Sequence, residues 1–175
     1  MEQDKKTTWR KGKVIIGPFG VGKTTHMKTI QNSSKDQNKW ISTSQLCNEV
    51  QTHGEAAIDQ YVKTAHLFID DLGSQSEPTT VTHFGTQINA VHKLIEDRYH
   101  YVVHQQHTFP GCQLRMGWNE ETKKYDTRHP ESYFITYIST NLSFEQLVEK
   151  YGGYIVDRLV EMCKFEIMEG DSYRQ

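Results

Sequence analysis

The stretch Gly17–Thr24 reads GPFGVGKT and matches every position of the phosphate-binding pattern G-x-x-x-x-G-K-[ST]. It follows the apolar run Val14–Ile16, which predicts a buried strand, and it leads into a segment with Met27 and Ile30 one helical turn apart. A strand before the motif and a helix after it distinguish a phosphate-binding loop from a glycine-rich turn that matches by chance. The stretch therefore predicts a strand–loop–helix unit that binds a nucleoside triphosphate.

The residue types in this loop suit triphosphate binding one by one. Glycines let the backbone curl so that its N–H groups face the phosphates, and the amino end of the following helix adds a positive dipole. Lys23 is expected to reach the β and γ oxygens, and the Thr24 hydroxyl is expected to coordinate Mg²⁺. The residues expected to hold the nucleotide are Gly17, Pro18, Phe19, Gly20, Val21, Gly22, Lys23, Thr24 and Thr25.

Composition limits the other possibilities. A chain of 175 residues with a formal net charge of −2 fits one domain and has no overall positive field to attract nucleic acid or an anionic membrane. Cys47, Cys112 and Cys163 are odd in number and lack C-x-x-C spacing, which favours reduced thiols. No apolar run approaches the roughly 20 residues of a membrane span, and the charged amino terminus lacks a signal region. We expect a cytoplasmic protein with no membrane partner.

Strand and helix signals alternate along the chain, which is typical of an α/β protein with a mainly parallel sheet. With the strand before the loop, we expect about five strands, and the other strand signals are Trp40–Ile41, Leu67–Ile69, Tyr133–Ile138 and Phe165–Ile167. The helix signals after the loop are a segment capped by Ser44 and running toward Val50, the segment 56–62, the long periodic segment 81–101, a segment opened by a capping box of Ser143 and Gln146, and a segment around 155–160. Residues 1–175 therefore read as a single domain.

The second group of candidate residues is the apolar strand Leu67–Ile69 together with the two acids that follow it, Asp70 and Asp71. Ligands of open α/β sheets bind outside the carboxyl ends of the strands, where the phosphate-binding loop also lies. Asp70 is expected to hold Mg²⁺ through water, and Asp71 to orient or deprotonate an attacking water. The alternative is that both acids only cap the following turn.

Four further stretches carry a family resemblance, and they are LFIDDLG at 67–73, STNLS at 139–143, YGGYIVDRL at 151–159 and Glu161-Met162-Cys163. Together with the loop, and in this order, they resemble the DnaC/DnaI helicase loaders and the IstB transposition-helper ATPases, which belong to the AAA+ group. The resemblance runs from about Lys11 to the carboxyl end. It implies an AAA+-like, three-layer P-loop sandwich that binds ATP and Mg²⁺, hydrolyses ATP and self-associates. A replicative helicase or a transposase is the partner that it implies.

The resemblance also assigns a role to single residues. The residues with catalytic roles (Lys23, Asp71, Asn141 and Arg158) and with Mg²⁺-binding roles (Thr24 and Asp70) fall at the positions of four family motifs. In chain order these positions are Lys23 and Thr24 (Walker A), Asp70 and Asp71 (Walker B), Asn141 (sensor 1) and Arg158 (arginine finger).

Two of these assignments keep an alternative. The amide of Asn141 suits a hydrogen bond to the γ-phosphate or the attacking water, but Asn141 also suits a role in capping the helix that Ser143 opens. Arg158 lies far along the chain from the loop, which favours contact with the γ-phosphate of a neighbouring subunit. A surface arginine on an amphipathic helix fits the same pattern.

The chain departs from the family in three places. About a dozen residues precede the first strand, where helicase loaders usually carry a partner-binding domain, and no helical lid or second sensor arginine follows Phe165–Ile167. The third departure is an insertion at about 102–132, in which residues 116–125 have the pattern of a β-hairpin. The cations and aromatic residues of this segment suit stacking on single-stranded DNA. They are Arg115, Trp118, Lys123, Lys124, Tyr125 and Arg128. The alternative is a solvated loop.

Several further readings remain open. His100, His104, His107 and Cys112 are interpreted as ordinary surface residues, so no metal other than Mg²⁺ is predicted. The adenine contact is unassigned, although Trp9 and Arg10 precede the first strand. Two other function classes share the loop: a small-molecule kinase, which would need an acceptor pocket, and a nucleotide-gated binding module without hydrolysis.

Overall fold

The computed structural model describes residues 11–34, 37–74, 77, 78, 80–108, 115–119, 124–128 and 134–170. The strands in these ranges are β1 (Gly12–Ile16), β2 (Asn38–Ser42), β3 (His66–Leu72), β4 (Val81–His83), β5 (Thr86–Ile88), β6 (Arg115–Asn119), β7 (Lys124–Arg128), β8 (Ile135–Thr140) and β9 (Cys163–Ile167). The helices are α1 (Lys23–Ser33), α2 (Thr43–His53), α3 (Ala56–Val62), α4 (Ala90–Thr108), α5 (Phe144–Tyr151) and α6 (Gly153–Met162).

Five of the strands form one sheet in the order β2-β3-β8-β1-β9, and each neighbouring pair in it is parallel. The predicted α/β fold with a mainly parallel sheet of about five strands is confirmed. β8 comes late in the chain but lies between β1 and β3. The carboxyl ends of these three strands are therefore adjacent at one edge of the sheet.

Side chains on the two faces of the sheet pack into different cores, because successive residues of a strand point to opposite faces. On one face, Val14 and Ile69 join a large core with residues from helices α2 to α6. On the other face, Ile15 and Phe68 pack with Met27 of α1. The fold thus has three layers, with α1 on one side of the sheet and the other helices on the opposite side.

The smaller core includes a row of stacked rings that crosses three strands. Trp40, Phe68 and Tyr137 are partners in the register of β2, β3 and β8. Their ring centroids are 5.5 Å and 4.8 Å apart with nearly parallel planes. Aromatic pairs across strands add to the stability of a sheet, so this row helps fix the register that brings the strand ends together.

β9 is the last element that the structure describes, and it pairs in parallel with β1 from Gly12↔Cys163 to Ile16↔Ile167. No helix follows it in the described residues, which continue to Gly170. Within the described ranges, no helix combines the length and the apolar character that crossing a bilayer requires.

The predicted cap of α2 is wrong by two residues. Ser42, not Ser44, precedes the helix, and its side chain accepts a hydrogen bond from the backbone N–H of Gln45. Ser42 is also the last residue of β2, so strand and helix join without a loop. A serine at the residue before the first helical turn can accept one of the backbone N–H groups that have no partner within the helix, and Ser42 occupies that position.

The predicted helix over 81–101 is wrong in its first third. Residues 81–88 form the antiparallel strands β4 and β5, joined by Phe84 and Gly85, and both joining residues have positive φ. Such a two-residue turn matches the twist of a hairpin. Helix α4 starts at Ala90, where the side chain of Asn89 accepts the N–H of His92. Phe84 and Ile88 are one helical turn apart in the sequence, which suits one apolar helix face, but Phe84 is 96% exposed.

The region predicted as an insertion contains the end of α4 and a separate antiparallel pair of strands. α4 continues through Thr108, beyond the predicted start of the insertion at about 102. β6 and β7 pair from Arg115↔Arg128 to Asn119↔Lys124. Lys123 lies outside the described residues, as do Trp9 and Arg10 before β1.

Candidate nucleotide-binding site

The loop between β1 and α1 has the backbone conformation that its glycines permit. Gly20 and Gly22 have φ of 81° and 95°, and Gly22 is the residue immediately before the helix. Side chains rarely tolerate this left-handed region. Gly17 is required for a different reason: a Cβ atom at this position would lie 2.5 Å from the carbonyl oxygen of Met168. The loop therefore curls tightly against the segment after β9.

Lys23 is the first residue of α1, and its ammonium group turns back into the loop. It is 6% exposed and donates to the carbonyl oxygens of Gly17 and Pro18, each at 2.8 Å. It also donates to the Asn141 side-chain oxygen at 2.6 Å. The loop carbonyls and the Asn141 side chain thus hold the ammonium group inside the loop.

Asn141 reaches Lys23 because of the strand order. It is the first residue after β8, and β8 lies beside β1, which ends at the loop. The capping alternative is met by other residues, since Ser143 and Gln146 form the capping box of α5 as predicted. The Asn141 oxygen is thus directed at the cation of the loop.

Thr24 and Asp70 face each other on the other side of this group. The Thr24 hydroxyl donates to both carboxylate oxygens of Asp70, at 3.2 Å and 3.3 Å. Asp70 also accepts a hydrogen bond from the Ser139 hydroxyl. Hydroxyl and carboxylate oxygens are the hard donors that Mg²⁺ prefers, and Mg²⁺ usually uses few protein ligands beside phosphate and water. This pair fits the metal that the fold implies.

Asp71 sits at an irregularity of β3 and is exposed. Its φ is 55°, in the left-handed region. The structure forms two hydrogen-bonded pairs, Lys23 with Asn141 and Thr24 with Asp70, whose first members are consecutive residues. Asp71 follows Asp70 in the chain.

Arg158 is not part of this group. α6 ends at Met162, directly before Cys163, and Cys163 is level with Gly12 at the amino end of β1. Arg158 is four residues from that end of the helix, so it lies toward the edge of the sheet opposite the loop.

The guanidinium of Arg158 contacts two aromatic rings. Its central carbon is 4.3 Å from the ring centroid of Tyr99 on α4 and 4.5 Å from that of Tyr154 on α6. Glu161 lies 3.7 Å from one of its nitrogens. Tyr99 also donates to Glu161 at 2.6 Å, and this hydrogen bond raises the pKa of Tyr99. Two cation–π contacts, one with a ring on each helix, thus hold the arginine where α4 meets α6.

Sequence reasoning missed two hydroxyl residues at this site, Thr43 and Ser139. Both are fully buried, and both bond the backbone of Asp71. A signal was available for Ser139, since it interrupts an apolar strand two residues before Asn141. None was available for Thr43, because nothing in the chain order indicates that the start of α2 lies beside Asp71.

In the described part of the chain, no group of three or more His, Cys, Asp or Glu side chains is arranged to hold a metal ion. Of the four residues considered above, Cys112 and the side chains of His104 and His107 lie outside what the structure describes.

A parallel α/β sheet whose first strand leads through this loop into a helix defines a P-loop nucleoside triphosphatase fold. Residues 14–100, just under half of the chain, match the family described as "ATPase family associated with various cellular activities (AAA)". The match supports an AAA+ ATPase family for this chain. It covers the loop and both acids but neither Asn141 nor Arg158. A comparison with curated proteins finds no match.

Proposed function

We propose that this chain is an AAA+-type ATPase that hydrolyses ATP with Mg²⁺ bound beside Thr24 and Asp70. The observation that carries the proposal is the two neighbouring hydrogen-bonded pairs, Lys23 with Asn141 and Thr24 with Asp70. These residues come from three separate parts of the chain, and a purely structural loop would not need all four. The family match gives independent support for ATPase activity in general.

In the proposed mechanism, Lys23 exchanges its acceptors when ATP is bound. Its bonds to two loop carbonyls and to Asn141 are replaced, in whole or in part, by bonds to phosphate oxygens. The amide of Asn141 is then available to hold the γ-phosphate or the attacking water. Asp71 orients that water or accepts its proton. Bound Mg²⁺ would neutralise charge on the phosphates, and Thr24 and Asp70 are the residues that would hold it.

Arg158 acts in a neighbouring copy in this proposal. Its place toward the opposite edge of the sheet supports this, because any contact with a γ-phosphate has to be made in another subunit. An arginine supplied in trans is worth about 10³ to 10⁵ in rate in the enzymes where it has been measured. Hydrolysis by the isolated chain should therefore be slow, and self-association should activate it.

We further propose that the ATPase serves DNA replication as a helicase loader of the DnaC type. The support is the resemblance of residues 67–73, 139–143 and 151–159, and a transposition helper of the IstB type is the alternative because it has the same core. A replicative helicase or a transposase is the corresponding partner. The β6–β7 pair is the proposed contact with single-stranded DNA, through the cations and aromatic residues in its sequence.

The test of the ATPase is phosphate release measured against protein concentration, with and without single-stranded or duplex DNA. We expect turnover per subunit to rise with concentration. The decisive step mixes two inactive variants, Lys23→Ala and Arg158→Ala. The first still supplies Arg158 and the second still has an intact loop, so a mixture should regain part of the activity that each lacks alone.

Three results would contradict parts of this proposal. Full assembly-dependent turnover by Arg158→Ala would remove the arginine finger. Nucleotide binding without turnover at any concentration, with or without DNA, would leave a nucleotide-gated binding module. Transfer of phosphate to a small acceptor, in place of phosphate release, would identify a kinase.

A further inference from the structure

The pairing of β3 with β8 is interrupted at the two acids. Ile69 is level with Ile138, but the next pair is Leu72 with Thr140. Two residues of β3, Asp70 and Asp71, therefore lie opposite the single residue between those partners on β8, which is Ser139. An extra residue on one strand is a β-bulge, and a bulge changes the direction of a side chain.

The bulge has a functional use for two consecutive acids. In a regular strand, successive side chains point to opposite faces of the sheet, so Asp70 and Asp71 would not serve the same site. At the bulge, Asp71 instead has φ of 55° and an exposed side chain. For a residue other than glycine this conformation costs free energy, and it persists only where neighbouring groups hold it.

Two fully buried hydroxyl groups hold the backbone of Asp71, one at each end of the residue. The Ser139 oxygen accepts the Asp71 N–H at 3.0 Å, and the Thr43 hydroxyl donates to the Asp71 carbonyl oxygen at 3.1 Å. Both side chains are 0% exposed. The Ser139 hydroxyl gives its own hydrogen to Asp70. Ser139 is thus bonded to both acids at once.

We propose that Ser139 and Thr43 are positioning residues that fix Asp71 in its left-handed conformation and so direct its carboxylate toward the attacking water. The inference rests on the role of Asp71 in the proposed function. Neither hydroxyl has to touch the nucleotide. The effect of both should therefore appear in the rate of hydrolysis, and Thr43, which does not bond Asp70, should leave the affinity for nucleotide nearly unchanged.

The test uses Thr43→Val and Ser139→Ala, which remove one hydroxyl each and add no bulk. We expect each to lower kcat by about 10-fold to 100-fold, since a small misplacement of a reacting group has a cost of this size. In Thr43→Val, the Kd of a non-hydrolysable ATP analogue should stay within about threefold, because Lys23, its loop and the Ser139–Asp70 hydrogen bond are intact. Thr43→Ser keeps the hydroxyl and should restore most of kcat.

The matched control is Thr136→Val on the same strand as Ser139. Thr136 is also buried, but its hydroxyl accepts from Arg98 at 3.3 Å, at the other end of β8. This variant should lower the melting temperature by a similar amount and keep kcat. Equal losses of kcat in Thr136→Val and Thr43→Val would overturn the inference, because general destabilisation would then explain both.

A double-mutant cycle separates this inference from the proposed function. In an Asp71→Asn background, Thr43→Val should change turnover by less than about twofold, since its effect acts through Asp71. The same loss in both backgrounds would overturn the inference. If Asp71→Asn alone keeps full turnover, the role of Asp71 in the proposed function is wrong. If it loses turnover while folded Thr43→Val and Ser139→Ala keep it, only the inference fails.

Discussion

Among the described residues, Lys23 and Arg98 are buried cations at opposite edges of the central sheet, and they have different partners. Lys23 lies at the carboxyl edge and is 6% exposed, with two loop carbonyls and the Asn141 side chain as acceptors. Arg98 lies at the amino edge and is 1% exposed. Its acceptors are the backbone oxygens of Val62, Thr64, Ala65 and Ile135 and the hydroxyl of Thr136.

The difference shows that a buried charge does not by itself identify a functional site. The acceptors of Arg98 belong to the ends of α3, β3 and β8, and moving them would open the core. Those of Lys23 are a loop and a side-chain amide at the edge where ligands of such sheets bind. Burial lowers the pKa of Arg98 to about 10, so it stays charged at neutral pH. We expect Arg98 to hold the fold and Lys23 to exchange its partners for phosphate.

Removing Arg98 should produce the largest effect on stability. Arg98→Met leaves several buried carbonyls without this donor, and we expect the free energy of unfolding to fall by about 3–5 kcal/mol. Urea denaturation measures this loss. Arg98→Lys keeps the charge but has fewer hydrogens to donate, so its free energy of unfolding should lie between those of the wild type and Arg98→Met. If the free energy of unfolding of Arg98→Met falls by less than about 1 kcal/mol, Arg98 does not hold the fold as proposed.

Removing Lys23 should have the opposite profile. Lys23→Met should lower ATP turnover by about 10²–10³-fold, the usual cost of losing one preorganised donor to a transition state. The free energy of unfolding should change by no more than about 1 kcal/mol, because the loop carbonyls can be solvated instead. Turnover and urea denaturation are measured on the same preparation. A large loss of stability would place Lys23 in the same class as Arg98.

Asn141 tests whether the partners of Lys23 are exchangeable. Asn141→Ala should lower turnover by about 10-fold to 100-fold, which corresponds to one hydrogen bond to a charged group. Asn141→Asp is the matched variant, because it puts a carboxylate beside the ammonium and should weaken ATP binding by competing with phosphate. Binding of a fluorescent ATP analogue separates the two effects. Unchanged turnover in Asn141→Ala, with a lower melting temperature, would favour a structural role.

The fold was predictable because its signals are local. An apolar run before Gly17, another before Asp70 and a capping box at Ser143 each depend on a few consecutive residues. The hairpin at 81–88 was not predictable from apolar spacing, since Val81 and Ile88 face the core in a hairpin as well as in a helix. The exposure of Phe84 follows from a backbone conformation that its spacing does not reveal.

The site was only partly predictable, for a related reason. Lys23, Asp70 and Asn141 were singled out by motifs, but the contact of Lys23 with Asn141 depends on β8 lying between β1 and β3. The order of strands in the sheet differs from their order along the chain, so the sequence does not show which strands are neighbours. The roles of Thr43 and Ser139 depend entirely on the order in the sheet, because both act on a residue of a neighbouring strand.

The smallest effect is expected from a partly exposed cation on the same helix as Arg98. Lys93 pairs with Asp97 at 3.0 Å and with Glu55 at 3.5 Å, and its side chain is 35% exposed. The hydrogen bond to Asp97 raises the pKa of Lys93, as an ion pair should. Lys93→Ala should nevertheless cost less than about 1 kcal/mol, because water screens exposed pairs. Most of that cost should disappear in about 1 M salt. Lys93 and Arg98 differ in exposure. A larger loss of unfolding free energy in Lys93→Ala, not reduced by salt, would mean that exposure does not decide how much a cation contributes to stability.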